Sequence, residues 1–204
     1  MKKVAIYGGT FAPVHNGHVA FALGYLRLEQ PDKLIIVPTF IPPHKSIDKG
    51  DKPEIRLEMV KIAFLGLDER IEVSDFEISK AAPSYTVLTL EHFSEPDTEL
   101  TFLCGSDMFL TLEEWYRAPD IFKLCRIAFA RRTEGGKEYD EKIKERRQHY
   151  ERKYGARIIE LPLPIIDISS TELRAAVRMG KSIEGLVPDK VYKYILESDY
   201  IKSK

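Results

Sequence analysis

The sequence has few cysteines, almost no net charge and no long apolar run. Only two of its 204 residues are cysteine. Cys104 and Cys125 each stand in an apolar segment, so we expect two buried, reduced thiols and no disulfide. The net charge of −1 excludes a global basic field that would recruit nucleic acid. No apolar stretch approaches the length of a membrane span, and the chain enters its first strand too early for a signal peptide. These absences predict a cytoplasmic protein whose partners include neither a membrane nor nucleic acid.

A cluster of metal ligands is also missing from the sequence. His15 and His18 are neighbours, but His44, His92 and His149 are scattered and neither cysteine accompanies them. A structural zinc site usually needs four ligands and a catalytic zinc site three. We therefore predict no protein-held metal, although a metal between the paired histidines stays an alternative.

Strand-like and helix-like segments alternate almost strictly along the chain. Apolar runs predict strands at residues 3–7, 33–38, 70–74, 100–104, 126–130 and 157–161. Helical patterns occur at residues 17–29, 54–67, 85–93, 118–123, 138–154, 170–179 and 188–197. The alternation predicts one α/β domain over residues 1–204. Its fold class would be Rossmann-like and doubly wound, a mainly parallel sheet of five to six strands with flanking helices and a small C-terminal helical portion.

The turn that follows the first predicted strand combines glycines with two histidines. Gly8-Gly9-Thr10-Phe11 would let the backbone approach a phosphate or a base closely, although the spacing is not that of a dinucleotide fingerprint. His15-Asn16-Gly17-His18 opens the next helix. A helix N-terminus attracts phosphate, and imidazoles can donate hydrogen bonds to phosphoryl oxygens. In an open parallel sheet, this edge is also where ligands bind.

Two further segments carry groups suited to phosphate. Pro42-Pro43-His44-Lys45 lies in the long loop 39–53, where the prolines would hold Lys45 in a defined direction. Ile168-Ser169-Ser170-Thr171-Glu172-Leu173-Arg174 begins a helix. Capping alone does not require three successive hydroxyl residues and an arginine one turn later, so this start is a candidate second phosphate site. The alternatives are a solvated loop lysine and an ordinary capped helix.

Three polar or aromatic features lie near other predicted strand and helix ends. Gly105-Ser106-Asp107 closes a strand with an acid, and Trp115 follows it. A single tryptophan is more often a core residue, but stacking on a flat heterocycle is an alternative at this edge. Ser84-Tyr85-Thr86 begins a helix after Pro83.

Taken in chain order, these segments resemble the HxGH nucleotidyltransferase superfamily. Within it, the chain resembles the bacterial nicotinate-nucleotide adenylyltransferases, and the matches span nearly the whole chain. The narrower match includes the segments above and the C-terminal run Leu186-Val187-Pro188 with Val191 and Tyr194-Ile195. The family usually has an aspartate where this chain has Ala12, and a proline and glycine where it has Arg131-Arg132-Thr133-Glu134.

The resemblance implies a reaction and a set of site residues. Nicotinic acid mononucleotide would attack the α-phosphorus of ATP, releasing pyrophosphate and forming deamido-NAD, with Mg²⁺ bound mainly through the ATP phosphates. The implied catalytic residues are His15, His18, Lys45 and Arg174. Implied ATP-binding residues are Gly8, Gly9, Thr10, Phe11, His15, His18, Ile168, Ser169, Ser170 and Arg174. Implied mononucleotide-binding residues are Lys45, Tyr85, Thr86, Gly105, Asp107 and Trp115.

The sequence is compatible with three other functions. The chain could be another HxGH adenylyl- or cytidylyltransferase, such as a pantetheine-phosphate adenylyltransferase. Ala12, in place of the usual aspartate, is compatible with a non-catalytic nucleotide sensor. The charged stretch 131–152 is compatible with a nucleic-acid-binding module, although its mixed charge favours a solvated surface helix. A homo-oligomer is compatible with the sequence.

Overall fold

A computed structural model describes residues 1–42, 51–131, 136–164, 168–198 and 200. Within these residues six strands form one parallel sheet. They are β1 (Lys2–Gly9), β2 (Lys33–Pro38), β3 (Ile71–Val73), β4 (Thr98–Gly105), β5 (Cys125–Ala130) and β6 (Ile158–Glu160). The strand order is β3-β2-β1-β4-β5-β6. The chain reverses its winding direction between β1 and β4, and this reversal confirms the doubly wound fold.

Helices cover both faces of this sheet. They are α1 (Asn16–Glu29), α2 (Pro53–Phe64), α3 (Phe76–Ser79), α4 (Thr86–His92), α5 (Ser106–Thr111), α6 (Ala118–Leu124), α7 (Gly136–Tyr154), α8 (Ser170–Arg178) and α9 (Asp189–Glu197), with a 3-10 helix at Leu112–Glu114. The short helices α3 and α5 and the 3-10 helix were not predicted from the sequence. None exceeds six residues, which is too short to give an amphipathic period.

Alternate residues of each central strand enter opposite cores. In β1, Ala5 and Tyr7 pack with α1, α2, α8 and α9 in the first core. Val4 and Ile6 pack with α4 to α7 in the second core. Burial on both faces explains why these strands read as continuous apolar runs. Cys104 and Cys125 are free and buried, as predicted. Burial raises the pKa of both thiols, that of Cys125 to about 12.

The charged helix α7 is a surface helix, as its composition predicted. Its two buried residues are Ile143 and Tyr150. Many of its charged side chains form ion pairs. In two of these pairs the partners lie one turn apart along the helix: Lys142 pairs with Glu138, and Arg147 pairs with Glu151. Among the described residues, no helix has the length and apolar character needed to cross a membrane.

Glu113 joins the 3-10 helix to the last two turns of α7. Its carboxylate lies 3.0 Å from His149 Nε2, 2.6 Å from Lys153 Nζ and 2.7 Å from the Tyr154 hydroxyl. These hydrogen bonds, led by the one from His149, lower the pKa of Glu113 from 4.5 to about 2. A carboxyl group with a lowered pKa stabilises the fold above its unfolded pKa and loses that effect as the pH falls through its folded pKa.

We therefore expect Glu113→Gln to be less stable than the parent protein at pH 7, with the difference shrinking as the pH falls from about 4.5 towards about 2. Urea unfolding midpoints measured across this range test the expectation. Glu114→Gln, at an exposed neighbour in the same 3-10 helix, serves as the control. A stability difference that does not change with pH would contradict the role of this carboxylate.

Candidate functional site

The two histidines of the first turn form a stacked pair at the start of α1. Their ring centroids are 3.6 Å apart, and the His15 backbone N–H donates to His18 Nδ1 over 3.2 Å. Because Nδ1 accepts this hydrogen bond, the neutral His18 ring carries its hydrogen on Nε2. His15 is only 3% exposed, and the Phe11 ring lies 5.0 Å from that of His18. The packing therefore fixes both rings.

The helix start at Ser170 packs directly against this turn, although about 155 residues separate the two along the chain. Ser170 Oγ donates to the Pro13 carbonyl over 3.0 Å, and Arg174 Nη1 donates to the Ala12 carbonyl over 2.6 Å. Asn16 Nδ2 donates to the Gly185 carbonyl over 2.8 Å. The C-terminal helical portion thus contacts the histidine turn through three side-chain hydrogen bonds.

A cavity of about 250 Å³ opens between these two segments, beyond the carboxyl ends of β1 and β4. The sequence-predicted site residues in its lining are Gly8, Gly9, Thr10, Phe11, His15, His18, Gly105, Asp107, Ser169, Ser170 and Arg174. The cavity lining also includes Ala12, whose backbone carbonyl accepts the hydrogen bond from Arg174. The structure therefore brings the histidine-containing turn and the start of α8, two candidate phosphate-binding segments, to one cavity.

Of the predicted site residues that the structure describes, four lie outside the cavity lining. Ile168 packs against the first core. Trp115 is half-buried against the second core, its ring 6.0 Å from that of Phe102. Tyr85 packs on Tyr116 with ring centroids 4.6 Å apart, and Thr86 begins α4. Lys45, with Pro43 and His44, falls outside the described residues.

Arg131 lines the cavity and was not among the predicted site residues. Its Nε donates to Glu160 over 2.6 Å, and its guanidinium also pairs with Asp140 of α7. The sequence did contain a signal for it, because Arg131 directly follows the carboxyl end of a predicted strand. Two carboxylates fix its orientation and offset much of its charge.

Arg56 of α2 is fully buried beneath the first turn. It donates to the carbonyls of Thr10 over 2.9 Å, Thr39 over 2.6 Å and Phe40 over 2.8 Å, and its Nε lies 3.4 Å from an Asp51 carboxylate oxygen. Burial lowers the pKa of this guanidinium, and Asp51 partly opposes the shift. One side chain thus connects the turn that follows β1 to the segment that follows β2.

The described residues of the cavity lining offer few side chains that could bind a metal ion. In the part of the chain that the structure describes, no three His, Cys, Asp or Glu side chains converge as a metal site. Asp51 and Asp107 are acidic members of the cavity lining, and Asp51 lies beside Arg56. This donor set fits a cation carried largely by phosphate oxygens, with few protein ligands, as Mg²⁺ prefers.

Comparison with known proteins agrees with this geometry. Residues 6–176 match the family model described as cytidylyltransferase-like. A probable nicotinate-nucleotide adenylyltransferase of Clostridium botulinum (strain Kyoto / Type A2) is 40% identical over 204 residues, covering 99% of this chain and 100% of that relative. A protein of the same name from Clostridium kluyveri is 37% identical over the same coverage.

Solved structures share the fold. Plasmodium falciparum nicotinic acid mononucleotide adenylyltransferase, in complex with NaAD, superposes with a TM-score of 0.78 at 20% identity, covering 100% of this chain and 99% of the other. At 20% identity, the structural similarity shows only a shared fold. The full-length relatives at 40% and 37% identity show the family. The chain therefore belongs to the cytidylyltransferase-like family and, within it, to the nicotinate-nucleotide adenylyltransferases.

Proposed function

We propose that this chain transfers the adenylyl group of ATP to nicotinic acid mononucleotide, forming deamido-NAD and pyrophosphate in NAD biosynthesis. The observation that carries the proposal is the contact between Ser170 and Arg174 of α8 and the carbonyls of Pro13 and Ala12, which brings the α8 start to the histidine turn. Both segments line one cavity, so a single polyphosphate can contact both.

The main task of such a site is to bring two anionic substrates together. The attacking phosphate is already an anion and needs no general base, so catalysis depends on positioning and on neutralising charge. His18 Nε2 would donate to the α-phosphoryl oxygens, and His15 would contact the polyphosphate or the incoming phosphate. Ser169, Ser170 and Arg174 would hold the β and γ phosphates at the α8 N-terminus. Gly8, Gly9, Thr10 and Phe11 would shape the ATP-binding turn.

Mg²⁺ would join the site with the nucleotide and supply further positive charge to the phosphate oxygens. The protein groups would then act on the parts of the substrates that the cation leaves exposed. Lys45, which lies outside the described residues, stays a predicted phosphate contact.

The mononucleotide would occupy the side of the cavity that is lined by the residues at the carboxyl end of β4. Gly105 and Asp107 line that side, and Asp107 would accept hydrogen bonds from ribose hydroxyls. Trp115 as a pyridine platform, and the Tyr85 and Thr86 amides as donors to the nicotinate carboxylate, stay predictions, because these residues pack outside the cavity lining. The cytoplasmic location and a homo-oligomer also stay predictions.

Pyrophosphate release with ATP, Mg²⁺ and either nicotinic acid mononucleotide or its amide tests the proposal. We expect turnover with the acid and at least a tenfold lower kcat/KM with the amide. N–H donors that bind both oxygens of a carboxylate would face the NH2 group of an amide, and one donor would stay unpaired. Phosphopantetheine and CTP serve as the rival acceptor and donor. Comparable use of the amide would contradict the Tyr85–Thr86 recognition. ATP binding without turnover on any acceptor would identify a sensor.

A further inference from the structure

Helix α7 holds both ends of the short helix α5, which connects the cavity to the second core. At the cavity end, the Tyr139 hydroxyl donates to Ser106 Oγ over 2.7 Å. At the far end, the Tyr150 hydroxyl donates to the Phe109 carbonyl over 3.1 Å. Helix α5 has only six residues, so its position depends on such tertiary contacts and little on its own helical stability.

The Tyr139 contact reaches a segment that lines the cavity. Ser106 is fully buried and stands between Gly105 and Asp107, both of which face the cavity. Tyr139 itself is half-buried and does not line the cavity. The next residue of α7, Asp140, pairs with Arg131 on the neighbouring edge of the same cavity. The first turn of α7 is therefore bonded to both segments that follow the central strands β4 and β5.

We infer that Tyr139 is a positioning residue for the mononucleotide side of the site. By fixing Ser106, its hydroxyl holds the backbone and side chain of Asp107 in the orientation that receives the ribose of the acceptor. This inference rests on the proposed function for the identity of the acceptor. The contact between α7 and the Gly105–Asp107 segment stands without that function. Tyr139 acts through Ser106 and makes no contact with the reacting atoms.

Two isosteric substitutions separate positioning from stability. Tyr139→Phe removes the hydrogen bond at the cavity end of α5, and Tyr150→Phe removes the bonds at the far end, where the Glu113 N–H is a further partner. We expect Tyr139→Phe to raise the KM for nicotinic acid mononucleotide about threefold to tenfold, the usual effect of one lost hydrogen bond, with the KM for ATP changed less than about twofold. Tyr150→Phe should lower the unfolding temperature more than Tyr139→Phe does, and it should leave both KM values unchanged.

A double-mutant cycle tests whether the effect passes through Ser106. In a Ser106→Ala background, Tyr139→Phe should raise the acceptor KM no further. Equal KM changes for both tyrosine variants, a rise confined to ATP, or additive effects of Tyr139→Phe and Ser106→Ala would each overturn the inference.

Hydrogen exchange provides a readout that does not depend on turnover. Tyr139→Phe should speed amide exchange in the segment 105–108, whereas Tyr150→Phe should speed it at 109–113. If the parent protein releases no pyrophosphate, the proposed function fails, and the exchange data alone decide whether Tyr139 positions this segment. If turnover is normal but exchange at 105–108 is unchanged in Tyr139→Phe, the function stands and the inference fails.

Discussion

His18→Asn is expected to lower kcat by about 10²-fold or more, by analogy with removal of one hydrogen-bond donor that contacts transition-state charge. We assign separate tasks to the two ring nitrogens of His18. Nδ1 accepts the His15 backbone N–H at the start of α1, whereas Nε2 is the proposed donor to a phosphoryl oxygen. Asparagine Oδ1 can occupy the position of Nδ1, so the helix start is retained and the donor is lost. The free energy of unfolding should therefore change by less than about 1 kcal/mol.

His18→Gln provides the complementary variant. Its longer side chain carries an amide N–H near the position of Nε2 but cannot accept the His15 backbone N–H. We expect it to lose some stability and to retain more activity than His18→Asn. Single-turnover kinetics with saturating ATP and acceptor, together with urea unfolding of each variant, check both expectations. If His18→Asn turned over at close to the parent rate, the Nε2 donor would have no role in the chemical step.

The strands and long helices were predictable because their signals are local. The strands at residues 33–38 and 126–130 have a run of apolar residues that only burial on both faces explains, and the observed strands differ from prediction by at most a few residues. The presence of His18 and Ser170 in one cavity lining was also predictable, because the ends of parallel strands and the helices that follow them share one edge of the sheet. The ordered resemblance to one family made that inference specific.

Other parts of the site had no signal in the linear sequence. Arg56 stands in an amphipathic helix among other charged residues, and only the folded chain shows that it is fully buried against three carbonyls. Helix α5 is too short for a periodic pattern, so the contact from Tyr139 to Ser106 could not be foreseen. In both cases the role comes from tertiary packing, which brings polar groups far apart in the sequence within hydrogen-bond distance.

Arg56→Met is expected to have the largest effect on stability, a loss of about 3–5 kcal/mol in the free energy of unfolding, typical of breaking a buried ion pair. The substitution keeps an apolar side chain of similar length but removes the donors to the Thr10, Thr39 and Phe40 carbonyls. It also leaves the buried Asp51 carboxylate without its arginine. Arg56→Lys should lose less stability, because an ammonium keeps the positive charge beside Asp51. It should still be less stable than the parent protein, because an ammonium cannot bond to all four groups in the geometry of a guanidinium.

Arg70→Met is the matched control, since Arg70 also pairs with an aspartate, Asp68, but both side chains are partly exposed. An exposed pair of this kind contributes at most about 1 kcal/mol. Urea unfolding gives the free energy of unfolding of Arg56→Met, Arg56→Lys and Arg70→Met. The KM of Arg56→Lys for ATP shows whether the turn that contains Thr10 has moved. Because Thr10 lines the cavity whereas Asp68 does not, we expect that KM to rise in Arg56→Lys and to stay constant in Arg70→Met. Equal stability losses in Arg56→Met and Arg70→Met would mean that Arg56 does not hold the turn.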